Sequence, residues 1–159
     1  MSAMSDAPFI RARNDDLAQR LQAFPQQFRD FLRKGVFSPD ARGRHVPALG
    51  FHLVTTEELS RAFILTPGRF VMAEMLPTGD ALAVTVPLHR ILRVDDRTVQ
   101  GVTSCLVEYE GDMHTVRDLD LVTHRHAYST YRIDARTPEE AASLLEFSMT
   151  LRVLLDTLV

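Results

Sequence analysis

Beyond residue 50 the apolar residues of this chain stop recurring at helical spacing and begin to alternate, a change of period that constrains the fold more than any other feature. The alternation is plainest in Leu82, Val84, Val86 and Leu88, and again in Val99, Gly101, Thr103, Cys105, Val107 and Tyr109. Turn-forming residues punctuate it at Pro67-Gly68, Pro77-Thr78-Gly79-Asp80, Asp95-Asp96 and Gly111-Asp112. Strands are therefore predicted at about 51–55, 60–66, 69–76, 81–88 (with a continuation to 94 left open), 98–109, 113–122 and 127–134. Short strands at hairpin spacing make an antiparallel meander, not alternating strand–helix units.

Helical signals flank this region on both sides. At the C-terminal end, Thr137-Pro138-Glu139-Glu140 reads as an N-cap threonine, a proline at the first helical position and a glutamate at the third, with both carboxylates near the positive helix end. Behind it Ala141, Leu144, Leu145, Ser148, Leu151, Leu154, Leu155 and Leu158 form one broad apolar face, which must dock, and the open end of the sheet is the nearest surface. At the N-terminal end, Asn14-Asp15-Asp16 reads as a helix start, followed by Leu17, Leu21, Phe24, Phe28, Phe31 and Leu32 at helical spacing. Pro25 lies inside that run and either kinks one helix or separates two, since a mid-helix proline costs about 3 kcal/mol. Gly35 after Arg33-Lys34 suits a helix stop.

The fold class expected is α+β: an antiparallel meander or partly open barrel of about seven strands capped by a C-terminal helix, with an extra N-terminal amphipathic helix or helix pair. The chain divides into a flexible leader (1–13), an N-terminal amphipathic segment (14–34), a linker (35–50) with two prolines and three glycines, and a β domain with its helix (51–159). With 159 residues and 45% hydrophobic content, one core suffices.

Charge and cysteine usage narrow the function classes. A net charge of −3 and a pI near 6.0, with arginines spread thinly, argue against nucleic acid as a partner. A single cysteine, Cys105, forms no intramolecular disulfide, no basic-apolar leader opens the chain, and no apolar run reaches bilayer length, so the expectation is a cytoplasmic protein with no transmembrane segment.

Candidate chemistry is sparse. His124-Arg125-His126 places two imidazoles on one strand face, but no third ligand stands at a convincing spacing, and a solvated turn is the simpler reading. His45, His52, His89 and His114 read as structural or exposed. Cys105, mid-strand between Thr103 and Val107, reads as a buried inert thiol, and Ser60, Ser104, Ser129 and Ser148 lack a nucleophile-elbow context. Asp95-Asp96, Glu108/Glu110 and Asp118/Asp120 read as acids on a wet sheet face. Gly68, Gly79, Gly101 and Gly111 stand singly, so no phosphate-cradling loop is formed. Neither a catalytic residue, a cofactor nor a metal is expected. The feature left over is the N-terminal stripe of Leu17, Leu21, Phe24, Phe28 and Phe31, which either packs on the chain's own sheet or docks a partner; these five are taken as the candidate partner-binding residues.

Val84-Thr85-Val86-Pro87-Leu88-His89-Arg90-Ile91-Leu92-Arg93-Val94 resembles the strand, Ile-Pro-Leu, Ile, Val segment of bacterial pleckstrin-homology-like and GRAM-like domains, and Phe63 to Val71 resembles their first hairpin. The resemblance spans about 51–158 and implies a barrel-like sheet closed by a C-terminal helix. Phosphoinositide-binding members cluster several cations at the first loop, where this chain offers only Arg61 and Arg69, so lipid headgroup recognition is not implied. The function expected is a non-enzymatic protein-binding or adaptor module that self-associates or docks on a protein assembly. The alternatives are a small-molecule-binding α+β domain or enzyme resembling the NTF2 family, with Tyr109, His114, Arg117, His126 and Tyr131 as pocket residues, or an adaptor resembling secretion chaperones.

Overall fold

A computed structural model describes residues 8–35, 46–110 and 128–158. The chain is α+β. Helix α1 (Pro8–Arg20) runs into a single 3-10 turn (Leu21–Ala23), and helix α2 (Gln26–Gly35) follows. Strands β1 (Gly50–Thr55), β2 (Ser60–Thr66), β3 (Arg69–Met75) and β4 (Ala81–Pro87) form one antiparallel sheet in that order. Strands β5 (Ile91–Val99), β6 (Val102–Glu110) and β7 (Tyr128–Ala135) form a second, also antiparallel, and helix α3 (Pro138–Asp156) closes the described chain. The sheets share a core without closing into a barrel. The strand expected at 113–122 lies outside the described residues.

Pro25 splits the N-terminal helix. The residue before a proline is pushed out of helical geometry, and Phe24 is extended at φ −97° and ψ 156°. Its amide donates to the Leu21 carbonyl at 3.0 Å, ending the first helical segment, while the Pro25 carbonyl accepts from Phe28 and Arg29 to start the next. The first helix begins at Pro8, not at Asn14, so the expected leader is partly helical. Asn14 is no N-cap. Its side chain accepts from the Ala48 amide at 2.9 Å and donates to the Ala48 carbonyl at 3.0 Å, stitching α1 to the segment that enters β1.

Two of the expected strand boundaries also move. Asp95-Asp96 lies inside β5, and the chain reverses at Gln100-Gly101, where φ is +51° and +79°. Positive φ at both central residues is the geometry whose twist matches a two-residue hairpin; without an Asn-Gly or Asp-Gly signature the turn reads as strand. At the other boundary Pro87 ends β4, and a 3-10 turn at Leu88–Arg90 carries the chain from one sheet to the next. Leu88 and Ile91 are buried and Val94 packs on the same core, so the segment that resembles the pleckstrin-homology pattern is the corner joining the sheets.

The four-stranded sheet is covered on both faces. Phe63, Leu65, Phe70, Met72 and Val86 face the second sheet and α3, meeting Val107, Ile133, Leu144, Phe147 and Leu151. Ala62, Ile64, Ala73 and Met75 point the other way and are covered by Leu17, Phe24, Phe28 and Leu32. The small alanines let the phenylalanines lie close to the sheet. Helix α3 starts as its sequence requires: the Thr137 hydroxyl accepts from the Glu140 amide at 3.1 Å, and the Glu140 carboxylate accepts from the Arg136 amide, one residue earlier than in an ideal capping box. Gly50 admits α3, since a β-carbon there would lie 3.1 Å from the Thr150 methyl.

Phe28 is fully buried between α2 and the sheet, so Phe28→Ala is expected to lower stability by about 3–5 kcal/mol. Urea unfolding followed by circular dichroism checks this; a loss below about 1 kcal/mol would mean that α2 is not packed on the sheet.

Candidate functional site

The five residues expected to bind a partner are brought together, but onto the chain's own sheet. Leu17, Phe24 and Phe28 are buried, while Leu21 and Phe31 pack at the edge of the same cluster. The physical reason is the second face of the four-stranded sheet. Ala62, Ile64, Ala73 and Met75 would lie in water without a cover, and the stripe is that cover. In this fold the stripe is core, not free surface. The small-molecule alternative wanted a hollow in the same place, and Phe28 and Leu32 fill it. Of its pocket residues, Tyr109 is buried and Tyr131 half-buried against the inner core; His114, Arg117 and His126 lie outside the described residues.

The free apolar surface is on α3. That helix buries Leu144, Phe147, Ser148 and Leu151 and turns a second apolar row outward: Leu145 is 43% exposed, Met149 66% and Val153 61%. A spacing of four residues stacks these three in a single ridge along the helix. Beside the ridge, Phe9 of α1 is 71% exposed. Between them runs an open groove of about 700 Å³ lined by Phe9, Ile10, Leu49, Leu145, Met149 and Val153. Large apolar side chains exposed together in this way mark interaction sites, whereas scattered ones do not. Leu145, expected in the docking face of the helix, stands on its outer row instead, beside Met149 and Val153, which that expectation does not include. A helix apolar most of the way round was the available signal.

Polar contacts hold the two walls of the groove in place. Arg13 donates to the Leu49 carbonyl at 2.9 Å and pairs with Glu146 at 3.3 Å, tying α1 to the entry of β1 and to α3. Across α3, Asp96 of β5 accepts from Ser148 at 2.9 Å and from Arg152 at 2.8 Å. Asp96 thus fastens the helix to the second sheet instead of marking a turn. A second open cleft, of about 490 Å³, lies between α1, β1 and α3, and its two arginines are paired: Arg13 with Glu146, and Arg20 with Asp16 at 3.1 Å.

The reactive side chains are arranged for structure. Cys105 is buried, and burial together with the Asp96 carboxylate pushes its thiol up to about 11, far from the thiolate needed for nucleophilic work. His52 Nδ1 lies 2.9 Å from the Ser143 hydroxyl, half of a nucleophile–base arrangement. Burial drives the His52 pKa down to about 4, only partly offset by the Glu140 carboxylate, so the imidazole is a weak base. Among the described residues its Nε2 meets no hydrogen-bonding partner that would orient it. Stacked on Phe63 with centroids 6.0 Å apart, His52 fastens β1 to α3. Arg61 pairs with Glu74 across strands at 3.2 Å. Among the described residues no three His, Cys, Asp or Glu side chains gather as metal ligands, and no helix is long and apolar enough to cross a membrane. The His124/His126 pair, the Asp118/Asp120 pair and His45 lie outside those residues.

The fold and site define an α+β protein of two antiparallel sheets, flanked by helices, with an exposed apolar groove between α1 and α3. No protein-family model matches this chain, and neither a curated protein nor a solved structure matches it significantly.

The depressed His52 pKa has a consequence for stability. An unfolded histidine titrates near 6.5 and the folded one near 4, so between those values the unfolded chain binds a proton that the folded chain does not. Stability is therefore expected to be full above pH 6.5, to fall progressively toward pH 4 and to lose about 3 kcal/mol from this group. Denaturant midpoints across that range, with His52→Phe as the control that flattens the slope, check it. Asp134, held below its ordinary 3.8 first by the Ser104 hydroxyl, contributes only at lower pH.

Proposed function

We propose that this chain is a non-enzymatic protein-binding module of pleckstrin-homology-like architecture, and that it engages its partner through the groove between α1 and α3. The observation that carries this reading is the exposed ridge of Leu145, Met149 and Val153 beside Phe9. Water contact with that much apolar side chain is unfavourable, and a protein surface that covers it recovers roughly 25 cal/mol for each Å² removed from water. The order of elements supports the architectural half of the reading: four strands, a proline corner, three strands, then a capped helix lying against both sheets.

Arrangement favours binding over chemistry. The groove's walls are mostly apolar, and the titratable groups that line it, Arg13 and Glu146, are paired with each other. Among the described residues that line it, none forms an acid–base–nucleophile arrangement poised toward a substrate. Helix-in-groove docking needs only what is present, an apolar trough with a polar rim.

A photo-activatable amino acid at Met149 tests this in the cell of origin, with the same label at exposed Arg97 as control. Discrete protein adducts are expected at position 149, absent at 97, and lost when Val153→Asp is added. No protein adduct at position 149 would contradict the reading.

A further inference from the structure

We infer that the outer edge of β4 is a second binding surface, which takes an extended, uncharged segment of a partner protein as an added strand. β4 ends the first sheet on the side away from β1, where α3 lies, so the inference goes beyond the groove and does not rest on it.

A strand at the end of a sheet turns a row of N–H and carbonyl groups to whatever stands beside it, and folded proteins guard such rows with charge, bulges or a covering element. The terminal strands here are β1, β4, β5 and β7. β1 lies under α3, with His52 against Ser143 and Gly50 against Thr150. β5 carries Arg93, Asp95, Asp96 and Arg97, shifts register between Ile91 and Arg93, and has its Val94 carbonyl taken by Arg152. β7 carries Arg132 and Asp134. β4 has none of these guards. Its residues, Ala81–Pro87, include no charge, its register on β3 is unbroken, and among the described residues nothing bonds to its outer side.

The register fixes which groups point outward. In an antiparallel pair, alternate residues exchange backbone hydrogen bonds with the partner strand, and those between them turn theirs away. Leu88 donates to the Gly68 carbonyl at one end of the pair and Leu76 to the Asp80 carbonyl at the other, each at 2.9 Å. By that alternation Leu82, Val84 and Val86 bond to β3, while Ala81, Ala83 and Thr85 turn N–H and carbonyl outward. Pro87, which has no N–H, ends the row. Donors and acceptors repeating roughly every 7 Å along a line are the complement of another extended backbone.

Side chains define the segment. Leu82 and Val84 are half-buried at the margin of the inner core, and Ala81 and Ala83 at the margin of the cluster under α2. An added strand sets alternate side chains beside Leu82 and Val84, where branched apolar residues extend the core, and the others beside two alanines too small to block it. A charge on the segment would find no counter-ion on β4. A folded second copy suits the edge less well than a peptide. None of the exposed large hydrophobic residues lies on β4 or α2, so two bodies set edge to edge gain no apolar patch to extend the strand contact toward the ~800 Å² per partner of a standard interface.

Amide exchange of the full chain, read by NMR, tests this with the peptide Lys-Val-Thr-Val-Thr-Val-Lys as probe. Without peptide, the Leu82 and Val84 amides are expected to be protected and those of Ala81, Ala83 and Thr85 to exchange freely; roughly millimolar peptide is expected to slow these three at least about tenfold. Ala83→Pro and Thr85→Pro each remove an outward N–H and spare the bonds to β3, a placement that edge strands tolerate. Each is expected to weaken peptide binding at least about tenfold, with circular dichroism confirming the fold, and Thr85→Val is expected to leave it unchanged. Outer amides already protected in the dilute chain, outer amides that the peptide does not slow, or binding that survives both prolines overturns the inference. Protection that grows with chain concentration in the absence of peptide assigns the edge to a second copy and overturns it too. Adducts at position 149 are unaffected by any of these outcomes, so the two readings fail separately.

Discussion

Four aromatic rings hold the three main parts of this protein together. Phe63 and Phe70, from neighbouring strands of the first sheet, are met edge-on by Phe147 of α3 at 6.4 and 6.0 Å and by Tyr131 of β7 at 5.9 and 6.5 Å. Edge-to-face contacts set the positive rim of one ring against the negative face of another and contribute about 0.5–1.5 kcal/mol each beyond burial. Because Phe147 belongs to the helix and Tyr131 to the second sheet, the cluster decides both which way α3 lies and which of its faces points outward. With Phe147 and Leu151 turned in, Leu145, Met149 and Val153 must turn out.

The fold was largely legible in the chain. Alternation and turn pairs located β1 to β4 nearly to the residue, because each strand is bounded by a proline, a glycine or a cluster of small polar residues. The capped start of α3 was legible for the same local reason. Misreadings fell where the backbone geometry is not announced by residue type. Gln100 adopts a positive φ that glutamine rarely takes, which hid the hairpin between β5 and β6. Asp95-Asp96 resembles a turn, yet Asp96 is held in a strand by Ser148 and Arg152 from a helix some fifty residues away. Asn14 looked like a helix cap because its chemistry is that of a cap, but its amide pairs with residue 48 instead.

The candidate site was much less legible, for a reason that concerns what apolar periodicity encodes. A stripe of Leu17, Leu21, Phe24, Phe28 and Phe31 states that a helix face must leave water; it does not state whether the covering surface is internal. The deciding quantity was the demand of the sheet. A four-stranded sheet whose central strands carry Ala62, Ile64, Ala73 and Met75 on their outer face requires a second cover, and α1 and α2 are the elements that supply it. Once those helices are assigned inward, the surplus of apolar surface reappears on α3, which carries more hydrophobic residues than one docked face can use. The chemistry-bearing residues tell the same story from the other side. His52 and Cys105 have pKa shifts that follow from burial in the core, and Asp96 accepts from Ser148 and Arg152 of α3.

The central claim is a division of surfaces: the N-terminal stripe is inside and the outer row of α3 is outside. Peroxide footprinting of the methionines, read by mass spectrometry on the dilute native chain, tests it most directly, since Met75 lies beneath α2 and Met149 stands on the outer row. Met149 is expected to oxidise rapidly while Met75 stays protected until the protein unfolds. Oxidation of Met75 at the rate of Met149 under native conditions would contradict the account.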